Sequence, residues 1–195
     1  MAASAERYTR VAVVIHWLMA AAIIAMLVMG FAMQNTFGEI DPMLRFNMFQ
    51  WHKATGIILL WLIALRLLWR LTHRPPEASR IYPKWERLAA TAAHFFLYLL
   101  MIALPVTGWL IVSSSPTGIP TSIFGLFTWP HMPGIEPDAA ANETYEARHG
   151  LFAYILIGVI ALHIGAVVKH WVIDRENILP RMWFPPRKKP EKIDA

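Results

Sequence analysis

Two histidines lie fourteen residues apart, His149 and His163, on the apolar stretch ARHGLFAYILIGVIALHIGAVVKHW. Fourteen residues of α-helix rise about 21 Å and return the chain to nearly the same face. Histidine is costly inside a bilayer, and where it occurs there it usually faces the bundle interior. Two imidazoles on one stripe, one toward each side of a membrane, suit two stacked cofactors. Six histidines fall in or beside apolar runs: His16, His52, His94, His149, His163 and His170. His73 and His131 fall in connecting segments and read as solvated or turn residues.

The elements that must position these side chains are membrane helices. The chain has 195 residues, 56% of them hydrophobic and 16% charged, with a mean hydropathy of +0.42. A soluble domain carries about 25% charged residues. Four runs are long enough to cross a hydrocarbon core of roughly 30 Å. They are 11–33, 46–69, 88–112 and 150–168, and only the second contains formal charges, Lys53 and Arg66. The expected architecture is all-α: a four-helix membrane bundle forming one domain over 1–195, with helices at about 8–33, 46–71, 85–112 and 146–171 and a long connection at 113–145. Arg7 and Arg10 precede the first run as in a signal peptide. The run nevertheless exceeds an ordinary signal core of about 7–15 residues and carries His16, so it reads as a retained helix.

Charge placement sets the expected orientation. Fifteen of the eighteen basic residues lie before helix 1, around the helix 2–3 connection or after helix 4; Arg45, Lys53 and Arg148 lie on the other side. The positive-inside rule then puts both termini and the middle connection of a multi-pass membrane protein in the cytoplasm. The basic face favours anionic lipid and, despite a net charge of +5, gives no reason to invoke nucleic acid. Of the two opposite loops, QNTFGEIDPMLR is short, whereas 113–145 is long and rich in Pro and Gly. A connection that long is expected to be partly ordered, as a short surface helix or cap with Trp129 at the interface. Pro105 should kink helix 3, and the tail RKKPEK reads as a frayed terminus.

Cysteine is absent, which excludes Cys-ligated iron–sulfur clusters, covalent CxxCH haem and a disulfide scaffold. Metal chemistry must therefore run through histidine, carboxylate or methionine. Depth along antiparallel helices pairs the histidines. His16 and His163 each lie five residues inside the cytoplasmic end of a run, while His52 and His149 lie near the opposite ends of theirs. Bis-histidine ligation by His16/His163 and His52/His149 would hold two low-spin b-type haems that only transfer electrons. The two irons would stand about 20 Å apart, from the helical rise. A lone intramembrane histidine is as readily an interhelical hydrogen-bonding residue. Four at paired depths weigh against that reading. A zinc or proton pathway would bring carboxylates into the core, and no Asp or Glu lies in the four apolar runs. His94 shares the cytoplasmic depth of His16 and His163, and a contact to a quinone or haem propionate, or simple packing, are its alternatives. His170, past Lys169, is a weaker rival ligand.

The segments RYTRVAVVIHW, FQWHKATGIILL, AAHFFLYLLMIALPVTG and RHGLFAYILIGVIALHIGAVVKH together resemble the bacterial cytochrome b561 family of four-helix, dihaem membrane proteins. The resemblance covers all four helices in order. It implies axial ligands at His16, His52, His149 and His163, two haem b groups, and membrane lipid and a quinone as partners. Some members of the family resemble superoxide oxidase, passing electrons from periplasmic superoxide to ubiquinone. On that reading Lys53 and Arg148, beside the periplasmic ligands, would neutralise propionates or draw in a small anion. Arg66 and Arg70 would do the same at the cytoplasmic haem. For all four, snorkelling to the interface is the plain alternative. Two other classes of function stay open. One is a cytochrome b subunit passing electrons between a dehydrogenase, or another redox partner protein, and the quinone pool. The other is a histidine-based metal or proton transporter without haem.

Overall fold

A computed structural model describes residues 7–34, 40–73, 76 and 82–183. The tail RKKPEK, much of the first loop, and Arg74 and Arg80 lie outside the described residues. Four helices dominate: α1 (Arg10–Met33), α2 (Pro42–Thr72), α3 (Lys84–Ser114) and α4 (Ala139–Val172). Each is long and apolar enough to cross a membrane. A short hairpin, β1 (Thr121–Ile123) and β2 (Phe127–Trp129), lies between α3 and α4, and a 3-10 turn (Leu179–Met182) follows α4.

Capping chemistry explains why the helices outrun the apolar stretches. Thr9 caps α1 by accepting from the amide of Ala12. Asp41 caps α2 through Leu44 N, with Pro42 at the first helical position, where its missing N–H costs nothing. Asp138 accepts from Ala140 N and Ala141 N. α2 and α4 thus begin at 42 and 139, several residues before the expected starts at 46 and 146. α3 continues through Pro105 to Ser114.

α1 packs on α2, α2 on α3 and α3 on α4. Phe31 against Tyr154, with ring centroids 5.6 Å apart, brings α4 back to α1. One core cluster joins Ile15, Met19, Leu59 and Ile63 beneath Tyr98 and Met101. Buried side chains are few, and large apolar residues face outward along every helix, among them Leu18, Trp61 and Leu162. Helices apolar on all sides with exposed hydrophobic flanks belong in lipid.

The end of the bundle that carries both termini is tied by polar contacts. Tyr8 N donates to Arg181 O, Trp17 Nε1 to Met182 O, and Trp69 Nε1 to Thr9 Oγ1. Lys169 Nζ reaches Glu86 at 2.6 Å and Asp174 at 2.8 Å. Glu86, His170 and Asp174 are close enough to hold a metal ion, but the Lys169 ammonium already ion-pairs with both carboxylates. At the opposite end Arg45 Nε donates to Met33 O and Asp138 N to Ser114 O.

Where a surface helix or cap is expected in 113–145, the chain forms the hairpin and then the first turns of α4. The strands pair antiparallel, Thr121 with Trp129 and Ile123 with Phe127. Gly125 (φ 77°) supplies the left-handed conformation of the turn, beside Phe124 at φ 48°. Ile123 fills a second core cluster with Ala54 and Ile57 of α2, flanked by Trp109 and Trp129.

Candidate cofactor site

The histidines form two groups, one toward each end of the bundle. In the group nearer the hairpin, His52 of α2 faces His149 of α4, with ring centroids 6.2 Å apart and planes at 69°. Two imidazoles facing each other at this separation could hold one metal-centred group between them.

The surroundings of both rings fit it as well. Thr107 Oγ1 lies 3.0 Å from His149 Nδ1, and also 2.8 Å from Ala103 O and 2.9 Å from Leu104 O. A hydroxyl has one proton, and only donation to a carbonyl makes those short contacts favourable. The Thr107 oxygen therefore accepts from His149 Nδ1–H, which leaves the lone pair on Nε2 for a metal. Among the described residues His52 Nδ1 is buried with no hydrogen-bond partner, which is uncommon for a polar atom. A glycine lies against each ring, where an added Cβ would make ordinary van der Waals contact. A Cβ at Gly30 would stand 3.6 Å from His52 Cε1, and one at Gly108 would stand 3.5 Å from His149 Cε1. Any larger side chain would enter the volume beside the imidazoles. Small residues at helix contacts serve the same end in membrane bundles generally.

The second group contains three histidines. His94 and His163 meet edge to face, with centroids 5.3 Å apart, and His16 lies within electrostatic range of both. His94 Nδ1 donates to Ala90 O at 2.6 Å, so its Nε2 also keeps a lone pair. Arg66 Nη2 donates to His16 Nδ1 at 3.2 Å, while its Nε donates to the Tyr98 hydroxyl at 3.2 Å. Guanidinium only donates, so Nδ1 of His16 accepts and Nε2 carries the proton. His16 offers Nε2 to a metal only once Arg66 lets go of Nδ1. The donor set of this group suits a metal, and Arg66 is the residue that must shift.

The cationic side chains have these positions and contacts within the protein. Lys53 Nζ donates to Pro120 O at 3.1 Å and reaches Ile119 O at 3.5 Å, anchoring the hairpin. Arg148 is exposed on α4. Arg70 lies over the Tyr98 ring at 5.7 Å, beside Arg66 at 5.9 Å. His170 bonds Asp174 at 2.7 Å, His73 stacks on Trp69, and His131 follows the hairpin. Thr107, Gly108, Gly30 and Tyr98 escape a reading of the sequence. Their only signal is a small or hydroxylated residue inside an apolar helix.

Four membrane-length helices that turn histidines toward one another define a membrane cytochrome. The profile of the prokaryotic cytochrome b561 family matches residues 7–185. Cytochrome b561 homolog 2 of Escherichia coli (strain K12) is 34% identical over 178 residues, covering 91% of each chain. Cytochrome b561 homolog 1 of the same organism is 30% identical over 138 residues, 71% of this chain and 74% of that one. A probable superoxide oxidase, CybB, of Yersinia pestis is 31% identical over 189 residues, 94% of this chain and 98% of that one. The chain belongs to the prokaryotic cytochrome b561 family. Membership makes it a b-type membrane cytochrome that binds haem b and transfers electrons.

Proposed function

We propose that the protein holds two haem b groups, one between His52 and His149 and the other between His16 and His163, and carries electrons across the inner membrane to ubiquinone. Haem b, when bound, supplies a one-electron couple buried from water. The observation that carries the reading is the His52–His149 pair, 6.2 Å between ring centres, with Thr107 on Nδ1 of His149. Fourteen helical residues between His149 and His163 separate the two groups by about 21 Å. The bias of basic residues toward the terminal end supports a cytoplasmic location for both termini, so that the hairpin end faces the periplasm.

The donor in this reading is superoxide, supported by the similarity to the probable superoxide oxidase of Yersinia pestis. Two superoxide ions each lose one electron and leave as dioxygen, while one ubiquinone gains two electrons and two protons. Arg148, exposed beside His149 and in no ion pair among the described residues, is the cation best placed to attract an anion at that end. Lys53 is committed to the hairpin. The test is ubiquinone reduction by the purified, haem-loaded protein supplied with a superoxide-generating system. Quinol formation abolished by superoxide dismutase is the expected result. Reduction only when a dehydrogenase partner is added would instead assign a cytochrome subunit. A purified protein with no reduced b-type α-band would overturn the dihaem assignment altogether.

A further inference from the structure

We propose that the hairpin between α3 and α4 is a membrane-inserted element, its tip Phe124–Gly125–Leu126–Phe127 buried in the lipid leaflet on its own side of the bundle. From Leu88 to Ile135 there is no Asp, Glu, Lys or Arg, so the charge-free run of α3 continues unbroken through the whole hairpin. A loop standing in water has no reason to exclude charge over that length.

The hairpin lies along the flank of α2. Gln50 and Lys53 bond its first strand and the residues before it, and Ala54 and Ile57 pack under Ile123. Trp61 meets Trp129 at 6.5 Å, and Trp109 of α3 meets Trp129 at 5.8 Å. Positions 50 to 61 span about 16 Å of helix, half the thickness of a hydrocarbon core. Trp61 is itself an outward-facing residue of a membrane-length helix, so the hairpin is continuous with surface that lipid covers.

Irregular backbone at membrane depth must have its polar groups satisfied by protein. Here the turn donors are taken: Phe124 N by Ser122 O, Gly125 N by Ser122 Oγ and Leu126 N by Ile123 O. Carbonyls and amides beside the strands are taken by helix side chains. Lys53 and Gln50 donate to Pro120 O, Ser122 N donates to Gln50 Oε1, Trp109 Nε1 donates to Pro130 O and Met132 N donates to Ser113 Oγ. What remains outward at the tip is apolar: Phe124 at 52%, Leu126 at 81% and Phe127 at 56% exposure. A bilayer is the medium that this combination of bonded turn amides and bare apolar side chains fits.

The chain has no cysteine, so single substitutions label cleanly. Full-length protein carrying Leu126→Cys, Leu162→Cys or Thr117→Cys would be spin-labelled in phosphatidylethanolamine–phosphatidylglycerol vesicles. Collision with oxygen, which partitions into lipid, is then compared with collision with a water-soluble nickel chelate. The expected oxygen-to-chelate ratio at position 126 matches that at position 162 on α4 and exceeds that at exposed position 117 several-fold. Ready access of the chelate to position 126 would put the tip in water. Protection from both probes would mean that protein covers it, a second copy or a partner. Either result overturns the proposal.

Discussion

The hydroxyl of Thr107 stands 3.0 Å from Nδ1 of His149, with its own proton committed to the carbonyls one turn back on α3. One hydroxyl thus fixes both the tautomer and the plane of a ring on another helix. Replacing it with the near-isosteric Val should keep the packing and lose the acceptor. Metal affinity typically falls about 10–100-fold when such a supporting contact is removed. If two haems are bound as proposed, Thr107→Val should therefore surrender one of them to a scavenger protein faster than the wild type does, and keep the other. Unchanged loss of both haems would deny the contact its role.

The three histidines at the terminal end make a sharper test than the pair at the hairpin end. His163→Ala should lower the haem content from two per chain to one, read by pyridine haemochrome, and His52→Ala should do the same through the other site. His16→Ala should mimic His163→Ala, while His94→Ala should retain both haems. His94 nonetheless touches His163 directly, with 5.3 Å between ring centres. If His94→Ala loses a haem and His16→Ala does not, the partner of His163 is His94.

Arg66 holds His16 and Tyr98 together. Charged hydrogen bonds of this kind contribute about 1.5–3 kcal/mol each, and partial exposure reduces that here. Arg66→Met should destabilise the apoprotein by about 1–3 kcal/mol in denaturant titration, and Tyr98→Phe by about 1 kcal/mol. Haem loading should shrink the Arg66→Met deficit, because His16 must leave Arg66 to present Nε2. An equal deficit with and without haem would show that Arg66 keeps its contact in both states.

How much of this could be read beforehand depends on which geometry each residue type reports. Depth follows from counting along a helix, so His52 and His149 could be matched across the bundle before either was placed. Azimuth does not follow. Lys53 is the neighbour of His52 in sequence, yet adjacent helical residues point about 100° apart. Lys53 accordingly turns to Pro120 while His52 turns to His149. The same limit hides which of His16 and His94 lies nearer His163. Helix ends at 42 and 139 were marked by Asp41–Pro42 and Asp138, cap residues outside the apolar runs, because an apolar run measures lipid thickness and not helix length. The hairpin was masked by its Pro and Gly content, which reads as irregular loop although Gly125 is what lets Ile123 and Phe127 pair.

Ser113 and Gln50 fasten that hairpin from two helices, and their loss should free it without disturbing the haem ligands. Ser113 is almost fully buried, and its hydroxyl accepts from Met132 N at 2.8 Å while donating to Trp109 O. Ser113→Ala strands a partly buried amide at a cost of about 1 kcal/mol. Combined with Gln50→Ala, it should expose 119–132 to protease in detergent, with the haem spectrum unchanged. A cleavage pattern identical to the wild type would mean that the apolar contacts of Ile123 and Trp129 suffice.

Asp174 accepts from Lys169 Nζ at 2.8 Å and from His170 Nδ1 at 2.7 Å, just past the end of α4. The hydrogen bond from Lys169, then that from His170, holds its carboxyl below the usual carboxylate range. A carboxyl depressed on folding stabilises the folded state above its unfolded pKa of about 3.9, and that stability is lost as pH falls through the lower folded value. Wild type should therefore melt above Asp174→Asn at neutral pH, by a margin that stays constant down to about pH 5 and closes below about pH 4. The pair is partly exposed, so the margin should be modest and shrink with added salt. Thermal melts of both proteins in one detergent across that range decide the matter. A margin that survives unchanged to pH 3, or one that grows on acidification, would mean that the carboxylate is not what Lys169 and His170 stabilise.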